Sequence, residues 1–399
     1  MTSTTKSFED APFLDILSLD TDELPAAIDR LRPESGMVRT PIGAMAIRRD
    51  LVMSLLADRR VNTAVLELFR ELDDSPIFEM LSSALLTVNG DVHQRLRRLV
   101  NRAFTPRAAD PYRAVMRDVL DSLLEPVVAR GSCEFMAEVA DPFPILVMCH
   151  LLGVPEEDHE DFTAWNKAFT WLFSFELAEH REEAEWGTAA LDGYAAQLIE
   201  ARRREPRDDL VTALVQAEEA GDRLSDVELR SMIVALLFAG SDATRSQLGT
   251  ALALFAEHPD QWALLADRPD LIPQAVDEVM RFAAPVGTLL RITTDDIAVD
   301  GYLIPAGTPL ALSASAANYD PTVYADPATF DITAPREPHL SFGGGPHFCL
   351  GVGIARAEMH EAITRLVAAM PNLALAGDVV WRSPFRIFGP DHLPIRFGR

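Results

Sequence analysis

The sequence predicts a mainly α-helical protein with small β-sheets, built around one long, fully buried helix. Three observations predict it. Helical spacing dominates the chain outside three β-rich patches, at 37–47, 290–312 and 379–397. One uninterrupted helical stretch between the first two patches is apolar on every side, so it belongs in the middle of a core. No repeat, low-complexity tract or Gly/Ser linker appears, so residues 1–399 read as a single structural unit.

The first patch, MVRTPIGAMAI from Met37 to Ile47, flanks a Pro-Ile-Gly turn with β-branched and apolar residues, the pattern of a strand, turn and strand. The second runs from Leu290 to about Leu312 and the third from Val379 to Phe397. The long helix starts at a capping box, Ser225 with Glu228, and continues to His258, where Pro259 ends it. At 1.5 Å per residue it spans roughly 50 Å. Its middle reads MIVALLFAG, yet Ser241, Asp242 and Thr244 follow directly. They come after Gly240, and a glycine costs about 1 kcal/mol relative to alanine in a helix interior. Polar residues on a buried helix behind a glycine are the local inconsistency that marks a functional site.

Composition narrows the partners. With 48% hydrophobic and 24% charged residues the chain has ample material for a large core. Its net charge of −25 repels phosphates, which argues against nucleic acid or an anionic membrane as the main partner. The first twenty residues carry acids through their apolar positions and show no basic start followed by an apolar run. Neither a signal peptide nor a membrane anchor is expected, and a cytoplasmic location follows. Cys133, Cys149 and Cys349 form no CxxC pair and are too few for a disulfide framework. One segment reverses the overall charge: Val92 to Ala109 contains Arg95, Arg97, Arg98, Arg102 and Arg107 and no acid. A solvated helix face is the ordinary fate of such a run.

The most specific segment is HLSFGGGPHFCLGVGIARAE, residues 339–358. Three consecutive glycines permit a tight loop, and Cys349 precedes a helical stretch expected to begin near Leu350. There the helix dipole and free backbone N–H groups favour a thiolate, the form that binds a metal. A dinucleotide fingerprint fails because Arg356 stands where a third glycine or alanine is needed. A zinc site needs more ligands than His347 and Cys349 supply.

FGGGPHFCLG resembles the haem-binding loop of the cytochrome P450 family, FxxGx[HR]xCxG, with every required position present. The resemblance implies a triangular-prism-like haem-thiolate fold whose long central helix crosses the haem. It implies haem b as cofactor, with Cys349 as axial iron ligand. It places Phe342 beside the sulfur, His347 on a haem propionate, and Gly345 and Gly351 where the porphyrin comes close. The segment beginning at His93, HQRLRRLVNRAFTP, is similar to a family helix that reaches the propionates with a histidine and an arginine four residues apart, here His93 and Arg97. Arg291 matches a further propionate arginine, and Glu278 with Arg281 matches the family's structural ExxR pair. By the same resemblance the activity is insertion of one oxygen atom from O2 into a small organic molecule, by hydroxylation or epoxidation in bacterial secondary metabolism.

Two departures from the pattern matter. In AGSDAT, residues 239–244, the family's acid is present as Asp242, but Ala243 replaces the threonine that follows it. Thr244 comes one position later, about 100° further round the helix. Protons then come through water anchored by Asp242, Ser241 or Thr244, through a substrate hydroxyl, or the chemistry differs from ordinary hydroxylation. In FDITAPR the family's arginine position holds Ala334, and Arg336 two residues on is the substitute.

The expected pocket walls are the segment from Thr63 to Gly90, Phe169 to Phe175, Ala235 to Ala243, Val286 to Leu290 and the turn near Phe385 to Phe388. They are mainly apolar and aromatic, which suits a largely apolar substrate, free or bound to a carrier protein. No flavin or nicotinamide domain is fused to the chain, so a ferredoxin or flavodoxin with its reductase is implied as electron source. Arg95, Arg98 and Arg102 are candidates for docking that acidic donor, and the chain is expected to be a monomer. Two rivals share the loop: a haem sensor or recruitment protein without catalysis, and a peroxide-driven haem enzyme.

Overall fold

The computed structural model describes residues 6–19, 23–72, 75–104, 106–173, 177–219, 224–382 and 387–398. The helices that build the site are α1 (Arg49–Ala57), α2 (Gly90–Val100), α3 (His159–Phe169), α4 (Asp226–Glu257), α5 (Ile272–Phe282) and α6 (Val352–Ala369). The capping box closes as the sequence predicts. Ser225 accepts from the Glu228 backbone N–H, and the Glu228 carboxylate accepts from the Ser225 N–H at 2.7 Å. From there α4 runs 32 residues. Helices α3, α5, α6, Pro142–Leu152 and Arg181–Arg204 all pack on it.

The three β patches also form. The principal sheet has the order β1 (Met37–Thr40), β2 (Gly43–Ala46), β5 (Pro309–Ser313), β4 (Thr288–Thr293), β3 (Val61–Thr63). Its β2–β5 pair is parallel and the others antiparallel. Register puts Arg291 of β4 between Leu310 and Thr63. The last patch contains the β6 (Val380–Trp381) and β7 (Pro390–His392) pair, and Pro394–Arg396 adds to Ser132–Glu134 far upstream. That last partner strand is too short to be visible in sequence.

The ExxR pair is buried, not on the surface. Arg281 donates through Nε and Nη2 to both Glu278 oxygens, at 2.7 and 2.9 Å, with both side chains about 1% exposed. Arg336 Nη2 reaches Glu278 at 3.3 Å and the Thr329 carbonyl at 2.9 Å, so it fills the role vacated at Ala334. No helix among the described residues is long and apolar enough to cross a membrane.

Candidate functional site

The glycine loop is shaped by contact with α1. Gly343 and Gly345 have φ of +70° and +64°, and a Cβ on Gly345 would stand 1.9 Å from the Leu56 carbonyl oxygen. No other residue fits there. The Cys349 N–H donates to the Phe342 carbonyl at 3.0 Å, closing the loop. Gly351 differs: its φ is −83° and its Cβ position meets nothing within 4 Å. Protein packing does not require glycine at 351; only something outside the chain would.

Helix α6 begins at Val352 with Gly351 as its cap, so Cys349 lies further from the helix start than the sequence suggests. The favoured thiolate is not borne out in the protein alone. Burial pushes the Cys349 thiol above its ordinary value, and the Gly351 N–H and the Arg97 charge offset this only in part. A bound cation would reverse the balance. Cys133 and Cys149 are inert by comparison, each pushed up to about 12 by burial.

Beside the loop, positive and neutral nitrogen groups gather without an anion. The His93 and His347 rings lie 4.1 Å apart, centroid to centroid. His93 is buried and its Nε2 has no hydrogen-bond partner. His347 is driven down to about 3, by burial first and then by His93, Arg291 and Arg97. Arg291 is 7% exposed, and burial lowers it to about 10; among the described residues the acceptor it finds is the neighbouring Leu290 carbonyl. Arg97 donates to Asn101. Neither arginine makes an ion pair among the described residues. A dianionic group with two carboxylates, as haem b is, would satisfy all four at once.

Helix α4 presents its one accessible stripe in its middle. Between Ser231 and Phe255 every residue is buried except Ala235, Ala239, Gly240 and Ala243. Four small residues at i, i+4, i+5 and i+8 leave a groove on an otherwise sealed helix. The three polar residues beside them point to three different neighbours. The Ser241 hydroxyl accepts from Asn166 Nδ2 of α3 at 2.9 Å. Asp242 accepts from Arg382 Nη1 at 2.8 Å. The Thr244 hydroxyl donates to Glu358 of α6 at 3.3 Å. Ser241, Asp242 and Thr244 therefore do not converge, and Thr244 is no stand-in for a hydroxyl at 243.

A sequence profile of the family described as Cytochrome P450 matches residues 66–267 and 261–369. The chain belongs to the cytochrome P450 family. Luteothin monooxygenase of Streptomyces thioluteus is 36% identical, over 99% of this chain and 98% of the relative. Nocardicin C N-oxygenase of Nocardia uniformis subsp. tsuyamanensis is also 36% identical, over 96% and 97%. Among solved structures, P450BioI in complex with an acyl carrier protein carrying hexadec-9Z-enoic acid superposes with a TM-score of 0.88. It is 29% identical, covering 94% of this chain and 99% of that one. As a P450 the chain is a haem b monooxygenase with the family's fold. The cradle of His93, Arg97, Arg291 and His347, the absence of protein contact over Gly351 and the α4 groove fit that cofactor.

Two residues of this P450 were not foreseen. Glu358 is wholly buried in α6, where burial pushes it up to about 8 against the opposing effect of the Thr244 hydroxyl; its Oε1 has no partner. A glutamate on the apolar face of ARAE was its only sequence signal. Arg382 gave none, because Asp242 lies 140 positions away. The arginine run is also revised. Arg95 pairs with Glu228, the residue that caps α4, so it is committed to the fold. Arg98 is exposed, and the Arg102 side chain lies outside the described residues. Of the expected walls, Phe169, Phe173 and Phe238 form one aromatic cluster with Phe69, the Phe173 and Phe238 rings stacked at 4.1 Å. Phe175 and Phe385 lie outside the described residues.

Proposed function

We propose that this P450 inserts one oxygen atom into a small, largely apolar substrate, with Cys349 as the iron ligand and Asp242 as the group that supplies protons. The observation that carries the reading is the pairing of an anion-free cradle with a single accessible groove on α4. When bound, haem b supplies the iron that activates oxygen, and thiolate donation favours O–O cleavage.

The chain's own residues then have separate tasks. His93, Arg97, Arg291 and His347 hold the propionates, and Phe342 and the glycine loop shelter the sulfur from water. Ala235, Ala239 and Ala243 keep the groove open and apolar, while Phe173 and Phe238 favour substrates with flat or aliphatic faces. Ala243 offers no hydroxyl, so water held by Asp242 carries the proton, or a hydroxyl of the substrate does.

Mycinamicin IV hydroxylase/epoxidase of Micromonospora griseorubida, 35% identical over 96% of this chain, supports hydroxylation or epoxidation in secondary metabolism. The acyl carrier protein bound by a structural neighbour supports a carrier-bound substrate as a second delivery mode. Electrons come from a separate ferredoxin or flavodoxin and its reductase, and the protein works as a monomer in the cytoplasm.

The test is the spectrum of the reduced, carbon-monoxide-bound protein. The wild type shows the thiolate-ligated species, and Cys349→Ser removes it and lowers oxygenation at least about 100-fold. An unchanged spectrum in that variant sinks the ligand assignment.

A further inference from the structure

Asp242 does not stand alone on α4. Arg382, immediately after β6, turns a side chain only 9% exposed toward it and donates through Nη1 to Oδ1 at 2.8 Å. Its Nε donates to Asp391 of β7 at 2.7 Å, and Asp391 is 39% exposed. Arg245, one turn along α4, approaches the same Asp242 oxygen at 3.7 Å, pairs with Asp141 and points Nη2 at the Pro390 carbonyl. Three carboxylates and two guanidiniums thus form one network, which ties α4 to Arg382 and Asp391 on one side and to Asp141, ahead of Pro142–Leu152, on the other.

The described residues at the two ends of the β6–β7 connection, Trp381 and Arg382 leading into it and Phe388 and Gly389 leading out, are held in place. The Arg382 N–H donates to the Gly389 carbonyl at 3.0 Å, and the Trp381 and Phe388 rings stack at 5.2 Å with an interplanar angle of 8°. Gly389 lies against α4 so closely that a Cβ would come 2.6 Å from Ser246 Cβ. The Phe388 N–H donates to the Pro285 carbonyl at 2.8 Å. Arg382 holds its proton above the ordinary arginine value: burial opposes the charge, but Asp242 and Asp391 outweigh it.

We infer that Arg382 is a positioning residue of the oxygenation reaction, fixing the Asp242 carboxylate through Oδ1 and leaving Oδ2 free to hold water. This rests on the assignment of Asp242 as the proton-supplying group. Both guanidinium contacts fall on Oδ1, so one oxygen is anchored and the other stays exchangeable. In the family pattern a threonine hydroxyl follows the acid, but at 243 there is only a methyl group. The burden on the arginine is correspondingly greater. Around Asp242 the charged and titratable groups are Arg245 on its own helix, Arg382 and Asp391 from the β6–β7 segment, Asp141 ahead of Pro142–Leu152, and the raised carboxyl of Glu358 from α6 across Thr244; α3 contributes only the neutral Asn166.

The experiment uses the haem-loaded protein with its reductase system and compares Arg382→Gln, Arg382→Lys, Asp242→Asn and the double variant Asp242→Asn/Arg382→Gln. Product formed per electron consumed is measured together with infrared carboxylate bands of protein labelled with 13C-aspartate. Arg382→Gln lowers product per electron by about tenfold, a share of what a positioned proton donor contributes. It also moves the carboxylate band that Asp242→Asn deletes. Arg382→Lys restores coupling to within about threefold of wild type, and Arg382→Gln adds nothing in the Asp242→Asn background. If Arg382→Gln unfolds, Arg382→Lys and the double variant, which removes both buried charges, still carry the comparison. Wild-type coupling and an unmoved band in Arg382→Gln, with Asp242→Asn uncoupled, overturn the inference alone. Full coupling in Asp242→Asn overturns the assignment of Asp242 and the inference with it.

Discussion

Around Arg291, positive groups crowd together with no anion to meet them, whereas around Asp242 every charge has its opposite within the chain. At the centre of each lies a charge of similar burial, Arg291 and Asp242 each being about 7% exposed. An uncompensated buried charge is expensive, still costing on the order of several kcal/mol after relaxation. A protein keeps such a cluster only where a ligand settles it, so the cradle is the half of the site that folding leaves unfinished. The Asp242 network is finished without any ligand, and its polarity serves to hold an acid in place. Unsatisfied charge thus points to a binding site, while satisfied charge in an apolar helix points to positioning.

The sharpest way to break this comparison is Arg291→Leu, because it moves two stabilities in opposite directions. Losing a buried, charge-assisted contact to a propionate weakens haem binding by about 10- to 100-fold, or roughly 1.4–2.7 kcal/mol. The haem-free protein gains stability, since the variant no longer buries an unpaired guanidinium. Haem transfer to a scavenger globin and urea unfolding of the haem-free chain measure the two effects. A haem-free variant less stable than wild type shows that Arg291 is paired in a way the cradle reading denies.

The two halves were also unequally legible in sequence. The cradle residues could be named in advance because they sit in short segments that resemble the family's: His93 and Arg97 in one helix, Arg291 after an apolar stretch, and His347 in the glycine loop. The long helix was legible for the same reason, since a capping box and an all-round apolar run are local facts. Arg336 could be named as the substitute for position 334 because the shift is two residues, but its contact with Glu278 came from the structure. The Asp242 network was not foreseen, because it joins residues 141, 242, 245, 382 and 391, and no periodicity relates them. Pairing of Ser132–Glu134 with Pro394–Arg396 escaped on the same ground.

Glu358 sharpens the comparison from a third direction, as an acid that is buried and only half satisfied. Its carboxyl is raised from 4.5 to about 8, so the folded state holds a proton that the unfolded chain has released. Stability therefore falls as pH rises from about 4.5 to about 8 and levels off beyond. Glu358→Gln keeps a donor and an acceptor for Thr244 and removes the titration. Its stability relative to wild type should be near neutral at pH 5 and clearly favourable at pH 8, as urea midpoints at the two pH values will show. A parallel pH dependence in both proteins means that Glu358 reaches solvent or a partner when folded.

The smallest effect is expected at Ala243, and its size bears on which half of the site governs protons. Position 243 lies on the accessible stripe with Ala235 and Ala239, so Ala243→Thr places a hydroxyl in the groove without displacing core. Helix propensity costs it at most about 0.7 kcal/mol, and the hydroxyl also bonds back to the carbonyl four residues earlier. If Asp242, anchored by Arg382, already holds the water that delivers protons, the added hydroxyl raises product per electron by less than about threefold. A rise of tenfold or more, from a wild type that loses most of its electrons to peroxide, would mean that the anchored acid does not suffice and that the finished network serves the fold instead of the reaction.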